Sequence, residues 1–261
     1  MILKVCLYRL QIMTEPTNSW LAANWNVAPW IHAGISTRNH GVSNKPYDSL
    51  NLATHVDDNI KQVQKNRRKL SEHLKLPAEP IWLHQTHSSK IADSHASVAT
   101  EADGTYTEQQ GVICAVLTAD CIPLLICNEA GTKIAAVHVG WRGFTAGIIE
   151  NAVTMFGSNE NLITWIGPHI CSLHYEVGNE VRDACLQYRD ELTEAFVMNP
   201  TGQWQANLAT LVMLNLKASG IFNISCANEC TYGKADRYFS YRREIRTGRM
   251  ASLIWMNNIN S

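Results

Sequence analysis

Three short apolar runs follow one another in the middle of the chain, and they constrain the fold more than any other feature. They are VICAVL at 112–117, IPLLIC at 122–127 and KIAAVHV at 133–139. Each has the length of a β-strand and is apolar at nearly every position, which is typical of strands that are covered on both faces. We therefore predict a sheet that lies inside a layered domain.

The rest of the chain mixes strands and helices without strict alternation. Apolar residues recur at helical spacing over 58–74, and Asp57 or Asp58 is the predicted N-cap. This irregular order favours the α+β class over a doubly wound sheet. The other predicted elements are helices at 144–156, 176–188 and 206–219 (closed by Gly220), strands at 162–166, 222–226 and 250–256, and a strand, turn and strand across 81–92.

The whole chain, 1–261, is predicted to form one domain, because no repeat, low-complexity tract or linker-like segment divides it. Residues 25–53 are predicted as a strand followed by a long irregular segment, and loops of that length are often functional. Residues 1–20 are expected to be disordered or to contain a misassigned start. Met13 is an alternative start, and no signal-peptide cleavage site follows residues 1–12.

Charge and cysteine content narrow the partners and the location. The chain has 22 Lys and Arg against 23 Asp and Glu, without a stripe of like charge, so we expect a small-molecule partner rather than nucleic acid or a membrane. No run approaches the ~18 apolar residues of a membrane span. The eight cysteines include several in apolar runs and no C-x-x-C pair, which predicts reduced thiols and a cytoplasmic location.

Potential metal ligands lie near the ends of predicted strands in three segments. They are His84 and His87 in WLHQTHSSK, Cys121 in LTADC and His138 in AAVHVGWRG. His87, Cys121 and His138 together would make a His₂Cys set that zinc accepts, with a fourth position left to water. Such a metal would lower the pKa of its bound water to about 7 or polarise a substrate oxygen. The alternative is that each residue only packs in the core.

Two charged residues adjoin these candidate ligands. Asp120, directly before Cys121, either orients a ligand, accepts a substrate proton or caps a turn. Arg142 lies in GWRG, a turn predicted to lead into a helix at about Phe144. The start of a helix attracts anions, and Arg142 would strengthen a phosphate or carboxylate site there. The alternative is that Arg142 forms a local salt bridge and the glycines only permit the turn.

Four further polar residues are candidates for contact with a substrate. Arg38 lies in the long irregular segment, and Arg242 and Arg243 lie in FSYRRE. Each of these arginines can either reach a cleft or remain solvated at the surface. Asn51 stands between two leucines, where it lines a site or caps a turn.

Taken together, these segments resemble the YfiH family of bacterial proteins, also described as polyphenol oxidase or laccase-domain proteins and as purine nucleoside phosphorylases. The resemblance runs in order from about residue 30 to the end, and TADC followed by HVGWRG is its most specific part. The matching segments are STRNHGVS, PYDSLNLATHVDD, WLHQTHSSK, EADGTYT, LTADCIPLLICN, IAAVHVGWRGFTAG, IGPHICSLHYEVGNEV, FSYRRE and GRMASLIWM.

The resemblance implies a fold and a metal site. The fold is a four-layer α/β/β/α sandwich with mixed sheets, and His87, Cys121 and His138 would bind a catalytic zinc, with copper as the alternative metal. The family's Q-V-H-G reads QTHS here, with Ser88 in place of the glycine. His84 falls outside the family's ligand position.

The resemblance also implies an activity. Family members are reported to cleave adenosine, inosine, guanosine and methylthioadenosine with phosphate, and to deaminate adenosine. The chain would then be a zinc-dependent purine nucleoside phosphorylase with an adenosine deaminase side activity. Zinc and Arg142 would then position the phosphate or the water, and Asp120 would act with Arg142 in catalysis as the proton shuttle of deamination. Arg38 and Asn51 stay candidates for contact with the substrate on the residues alone.

Four other functions stay open from the sequence. A copper-dependent polyphenol oxidase matches a blue-copper ligand set, but a multicopper cluster needs H-x-H pairs, and the ten histidines form none. A zinc amidohydrolase could edit peptidoglycan precursors by removing a misincorporated amino acid from a UDP-linked muramyl compound. Cys121 could instead be a nucleophile with His138 as its base. The last alternative is a zinc-stabilised partner module without activity.

Overall fold

The structure, a computed structural model, describes residues 19–93 and 100–257. Of the expectation for residues 1–20, residues 1–18 lie outside those ranges, whereas Trp20 begins a strand. The described residues form thirteen strands, five α-helices and two 3₁₀ helices. The α-helices are α1 Ile60–Leu74, α2 Trp141–Thr145, α3 Ile148–Thr154, α4 Asn179–Tyr188 and α5 Leu208–Ala218, and the 3₁₀ helices are Ser172–His174 and Asp190–Ala195. The strands are β1 Trp20–Ala22, β2 Ile31–Ser36, β3 Ile91–Ala92, β4 Gly104–Thr107, β5 Ile113–Thr118, β6 Ile122–Asn128, β7 Ile134–Val139, β8 Leu162–Ile166, β9 Glu176–Val177, β10 Phe196–Met198, β11 Trp204–Ala206, β12 Asn223–Cys226 and β13 Met250–Met256.

The strands form two large sheets and a small one. The four-stranded sheet has the order β1-β2-β13-β5, and all of its neighbours are antiparallel. The six-stranded sheet has the order β12-β8-β6-β7-β4-β3, in which the pairs β12–β8 and β3–β4 are parallel. The small sheet has the order β10-β11-β9. The predicted apolar runs became β5, β6 and β7, so they are divided between the two large sheets.

The side chains of β6 show why its run is apolar at nearly every position. Leu124 packs towards the helices, in a cluster with Ile148 of α3 and Leu211 of α5. Its neighbour Leu125 points to the opposite face and packs with Val116 of the four-stranded sheet. Successive side chains of a strand point to opposite faces, so a strand between two covered faces needs apolar residues in both phases.

Helices cover the outer face of each large sheet. Leu70 of α1 packs with Leu253 on the outer face of the four-stranded sheet. The helices α2 to α5 cover the outer face of the six-stranded sheet. The layers are therefore helix, sheet, sheet and helices, which confirms the predicted α+β sandwich with mixed sheets. Within the described ranges, none of the helices is both long and apolar enough to cross a membrane.

Two helix predictions need correction. The N-cap of α1 is Asn59, whose side chain accepts from the amide of Lys61, while the carboxylate of Asp58 accepts from Ser43 and Asn51. The predicted helix 144–156 is two helices, because α2 begins earlier and Gly147, at φ 84°, interrupts the helical path. Glycine adopts this left-handed conformation readily, so the backbone turns there.

The prediction of strand, turn and strand across 81–92 is mostly wrong. Only Ile91–Ala92 forms a strand, and the residues before it are irregular apart from isolated bridges at Ile81 and His84. Hydrogen bonds that the amides of residues 86–88 donate to the Asp103 carboxylate hold this loop in place of a strand ladder. The loop carries one of the candidate ligands.

Candidate metal centre and its cavity

The fold brings the three predicted ligands to one edge of the six-stranded sheet. Cys121 lies between β5 and β6, and His138 lies on β7, where it pairs with Pro123 of β6. His87 enters from the loop before β3, and its Nε2 is 4.0 Å from Sγ of Cys121. One ligand atom from each residue lies within 4.8 Å of the others. These donors can therefore converge on one cation.

Asp103, directly before β4, orients the buried candidate ligand His138. Its Oδ1 accepts a hydrogen bond from Nδ1 of His138 at 2.8 Å, which leaves Nε2 of that ring available to a metal. A carboxylate bonded to the far nitrogen of a ligand histidine is the common arrangement around bound zinc. The residues present therefore fit a transition metal in their orientation as well as in their type.

The same carboxylate shapes the loop of His87. Its oxygens accept from the amides of Thr86, His87 and Ser88 and from the hydroxyl of Ser88. His87 has φ 60°, a left-handed conformation that is uncommon outside glycine and that recurs at functional sites. Ser88 thus contributes its hydroxyl to the support of the loop.

Gly140 allows the backbone to approach the centre closely. A Cβ at this position would lie 2.8 Å from Cδ2 of His87 and 3.2 Å from Sγ of Cys121. Separations under about 3 Å force neighbours to move, so only glycine fits without displacing a ligand. This observation answers why a glycine follows the strand that carries His138.

Cys121 and His138 alter each other's protonation in the metal-free chain. Burial favours the neutral thiol, but the charge of His138 and hydrogen bonds from both histidines lower the pKa of Cys121 to about 6. Burial lowers the pKa of His138, but the Cys121 thiolate and Asp103 outweigh it and raise that pKa to about 9. A thiolate is therefore present at neutral pH, and the thiolate is the form that binds metals.

The three candidate ligands line a cavity of about 500 Å³. Positive groups surround it, since Arg142, Arg242 and Arg249 all lie in its wall. Arg142 stacks over the ring of Trp141 at 4.3 Å and pairs with no carboxylate among the described residues. Its guanidinium is therefore not engaged in the local salt bridge that was the alternative interpretation, and anion binding by Arg142 stays a prediction.

Helix α2 is short, which limits what its dipole can contribute to anion binding near Arg142. Helix α2 spans only Trp141–Thr145, so it offers little macrodipole, contrary to the predicted long helix from Phe144. Attraction for an anion rests instead on the arginine side chains. Sequence reasoning did not single out Arg249, whose chain segment reaches the cavity only through tertiary packing.

Aromatic and imidazole groups complete the wall. Tyr175 and Tyr241 line the cavity, and Arg242 lies over the Tyr175 ring at 5.2 Å. His55 also lines it; burial, followed by the positive charge of Arg249, lowers the pKa of this histidine. The imidazole of His55 is therefore neutral at neutral pH. Arg242 was one of the candidate arginines, whereas Tyr175, Tyr241 and His55 were not predicted, because single aromatic or histidine residues in loops carry no pattern.

Asp120 borders the cavity, but its carboxylate is occupied. Oδ1 accepts from the hydroxyl of Thr231 at 2.6 Å, and Oδ2 accepts from the hydroxyl of Ser240 and the amide of Arg242. The residue has φ 95° directly before the candidate ligand Cys121. These contacts give it a positioning role for the ligand loop and for Arg242, rather than a free oxygen for proton transfer.

Three other candidate residues lie outside the lining of this cavity. The guanidinium of Arg38 bonds to the carbonyls of Asp48 and Ala235 in a separate surface depression. Asn51 is fully buried and bonds to the amides of Ala53 and Arg249, so it caps a turn. Arg243 bonds to the carbonyls of Thr231, Tyr232 and Tyr238. We therefore leave all three out of the substrate contacts that we propose.

Comparisons with known proteins place these observations in a family context. A family model described as multi-copper polyphenol oxidoreductase laccase matches residues 32–257. A purine nucleoside phosphorylase of Pseudomonas aeruginosa is 41% identical over 244 residues, covering 92% of this chain and 100% of the relative. The purine nucleoside phosphorylase YfiH of Escherichia coli is 41% identical over 241 residues, covering 90% of this chain and 98% of the relative.

Solved structures agree with the fold described above. The crystal structure of a Neisseria meningitidis protein matches with a TM-score of 0.87 at 38% identity, covering 92% of this chain and 100% of that one. The crystal structure of YlmD from Geobacillus stearothermophilus matches with a TM-score of 0.86 at 27% identity, covering 94% of this chain and 98% of that one. Both likenesses extend over nearly the whole chain.

Proposed function

The chain belongs to the family described as multi-copper polyphenol oxidoreductase laccase, and from this premise we propose that it is a zinc-dependent purine nucleoside phosphorylase. Adenosine, inosine, guanosine and methylthioadenosine are the proposed substrates, and deamination of adenosine is a side activity. The observation that carries the proposal is a His₂Cys donor set that opens into a cavity lined by arginines.

Zinc suits the donor set of His87, Cys121 and His138. Zinc takes imidazole and thiolate ligands together, and a site with three protein ligands leaves a position for water or substrate. A zinc ion bound there would supply a Lewis acid and lower the pKa of a bound water. A multicopper oxidase needs a cluster fed by many histidines, whereas this group of donors contains two.

Phosphate would bind to the arginines of the cavity. Arg142 is the strongest candidate, because its guanidinium is exposed and stacks only against an indole face. Arg242 already donates to the carbonyl of Glu176 at 2.8 Å, so it has fewer donors left for an anion. Arg249 likewise donates to the carbonyls of Thr247 and Gly248. We propose that Arg142 binds the phosphate directly. Arg242 and Arg249 would add to the positive electrostatic potential of the cavity.

The purine would lie against the aromatic part of the wall. Tyr175 and Tyr241 offer ring faces, and flat aromatic ligands gain from offset stacking on such faces. The cavity of about 500 Å³ lies within the range of about 300–1,000 Å³ that is usual for ligand sites. A nucleoside and a phosphate can therefore occupy it together.

In this arrangement the protein would hold phosphate against the anomeric carbon of the ribose. A carbon–oxygen bond to phosphate forms while the bond from that carbon to the purine nitrogen breaks, and the electron pair leaves with the base. The residues of the cavity contribute by orienting the two substrates and by the positive charge of the arginines, which holds the anionic phosphate at the reacting carbon. Asp120 would serve by holding Cys121 and Arg242 in place.

Product analysis of metal-assayed protein tests the proposal. Incubation with adenosine and phosphate should give adenine and ribose 1-phosphate, and omission of phosphate should abolish both. Inosine formed without phosphate would report the deaminase activity. Cys121→Ser should lose both activities, whereas Cys226→Ser, a half-buried cysteine on β12, should keep them. If neither product formed with fully metallated protein, the proposal would fail, and amide hydrolysis in a cell-wall precursor would become the favoured function.

A further inference from the structure

A second group of thiol and imidazole side chains lies outside the first centre. Nδ1 of His174 is 3.2 Å from Sγ of Cys171 and 3.5 Å from Sγ of Cys230, and the three donor atoms all lie within 4.8 Å of one another. We propose that this Cys₂His cluster is a second binding site for a thiophilic divalent cation of the zinc type. It shares no ligand with the first centre.

The separations in the Cys₂His cluster match those that a zinc ion would require. Zinc binds imidazole nitrogen at about 2.0 Å and thiolate sulfur at about 2.3 Å, so a tetrahedral angle places nitrogen and sulfur about 3.5 Å apart. The two distances from His174 to Cys171 and Cys230 are 3.2 and 3.5 Å. His174 and either sulfur could therefore bind one ion with shifts of only a few tenths of an ångström, and the two sulfurs lie within 4.8 Å of each other.

Backbone amides surround the sulfur of Cys230. Its Sγ accepts from the amide of Cys171 at 3.3 Å and from the amide of Gly233 at 3.4 Å. Hydrogen bonds to an ionised acceptor are stronger than bonds to a neutral one, so these amides favour the thiolate that a cation needs. A cysteine that served only as an apolar filler would not collect two backbone donors.

The imidazole of His174 is also held in position. Its ring stacks on Tyr232 with centroids 4.4 Å apart and an interplanar angle of 21°. All three side chains of the Cys₂His cluster are partly exposed, so a cation and a completing water ligand can reach them from solvent. Fixed ligands reduce the entropy lost on binding, which favours affinity.

The position of the Cys₂His cluster suggests a structural role beside the first cavity. It joins the segment after β8, which carries the wall residue Tyr175, to the loop after β12. Thr231, next to Cys230, donates its hydroxyl to Asp120, and Asp120 precedes the ligand Cys121. A cation there would hold together two segments that line or support the cavity.

Metal stoichiometry in the presence of a non-chelating reductant tests the proposal. Purified chain, loaded with Zn²⁺ and then desalted, should hold two equivalents of zinc. Cys121→Ser should hold one, and the double variant Cys121→Ser/Cys230→Ser should hold none. The matched control Cys121→Ser/Cys226→Ser should still hold one, because Cys226 is half-buried but stands outside both groups of donors.

Spectroscopy identifies the ligands without relying on activity. In the Cys121→Ser background, Co²⁺ should give the thiolate-to-cobalt charge-transfer band and the intense visible bands of tetrahedral coordination. His174→Ala should remove the tetrahedral pattern while the far-ultraviolet dichroism of the fold stays unchanged. This variant also covers the case in which loss of Cys230 disturbs the loop, since His174 lies on a separate segment.

Three results would overturn the proposal. The first is a zinc content of one for the unaltered chain with none in Cys121→Ser. The second is an equal content in Cys121→Ser with and without Cys230→Ser. The third is a disulfide between Cys171 and Cys230 that persists in the reducing buffer, detected by mass after alkylation, because a bonded pair cannot bind the ion as thiolates. The first centre and the proposed phosphorylase activity would survive each of these results.

Discussion

His138 donates the hydrogen on its Nδ1 to Oδ1 of Asp103 across 2.8 Å, and Asp103 is fully buried. Burial disfavours the charged carboxylate, but hydrogen bonds from His138 and Ser88 lower the pKa of Asp103 to about 2. The carboxylate therefore stays ionised at neutral pH. Through these contacts the Asp103 carboxylate fixes the tautomer of His138 on β7. It also fixes the loop that carries His87.

We expect Asp103→Asn to weaken zinc binding by about 10–100-fold, the usual effect of losing the partner of a ligand histidine. The amide would keep the volume of the side chain, but it would remove the charge and present an NH₂ donor to amides that need an acceptor. Competition with a graded series of chelators would measure the change in affinity.

The control for this change is Asp183→Asn. Asp183 is exposed on α4 and forms only a surface ion pair with Arg182, so its replacement should leave the zinc affinity unaltered. Equal zinc affinities for the Asp103→Asn and Asp183→Asn variants would show that Asp103 does not support zinc binding. Thermal unfolding of the metal-free variants separates a loss of affinity from a loss of folding.

The contrast between β6 and Asp103 shows what this sequence could predict. The run 122–127 predicts its strand because burial on both faces demands apolar residues in both phases of the pleat. Asp103 carries no such pattern, since its role depends on contacts with residues 86–88 and 138 that only the fold brings together. Local periodicity reports which face is buried, but it does not report which distant group a buried charge will meet.

The candidate site divides in the same way. The three ligands could be proposed because histidine and cysteine near strand ends have a chemistry of their own, and the resemblance joined them into one set. Asn51 had two interpretations, and its buried contacts with Ala53 and Arg249 favour the turn. The single helix predicted over 144–156 is divided into α2 and α3 because Gly147 adopts φ 84°. The glycine permits this conformation but does not require it, so the sequence could not predict the break.

The protonation of Cys121 predicts a pH profile for alkylation of the metal-free chain. With a pKa of about 6, lowered chiefly by the charge of His138 against the effect of burial, the thiolate persists from alkaline pH down to about pH 6. Its reaction with iodoacetamide should therefore fall as the pH drops through 6, and zinc affinity should fall over the same range because protons compete for the sulfur.

Peptide mass analysis would locate the alkylation. Cys226 is the internal control, since burial raises its pKa and it should stay unreactive at pH 7. Added zinc should protect Cys121 at every pH above 6. If the midpoint of the pH profile of Cys121 alkylation lay near the ordinary pKa of a thiol, His138 would not stabilise the thiolate.

Arg142→Ala should weaken the use of phosphate while sparing reactions that need none. A hydrogen bond to a charged group contributes about 1.5–3 kcal/mol, so kcat/KM for phosphate should fall roughly 10–100-fold. Adenosine deamination, which requires no anion, should change by less than about threefold. Arg142→Lys should recover part of the loss, because lysine keeps the charge but not the planar fork.

Arg182→Ala is a closely matched control for Arg142→Ala. Arg182 stacks on Trp204 at 4.4 Å, much as Arg142 stacks on Trp141 at 4.3 Å, but it lies outside the cavity lining. Its loss should leave both activities unaltered. Equal losses of phosphorolysis and deamination in Arg142→Ala would assign this arginine to nucleoside binding or to folding instead of phosphate binding.

Gly140→Ala should expel the metal from the first centre by steric contact alone. Gly140 has φ −88° and ψ 162°, which alanine adopts without strain, so the backbone itself tolerates the change. The added Cβ would lie 2.8 Å from the His87 ring and 3.2 Å from the sulfur of Cys121, which must move apart. Zinc distances tolerate only about 0.2 Å, so this centre should lose its stoichiometric zinc and the activity with it.

Gly202→Ala separates this effect from ordinary loss of stability. Gly202 has φ 80° with nothing near the place of a Cβ, so alanine there strains the backbone without touching a neighbour. We expect a lower midpoint of thermal unfolding and an unaltered zinc content, the reverse of the Gly140 variant. A Gly140→Ala chain that retained full zinc in the Cys230→Ser background, where the first centre alone can bind it, would show that His87 and Cys121 do not share an ion.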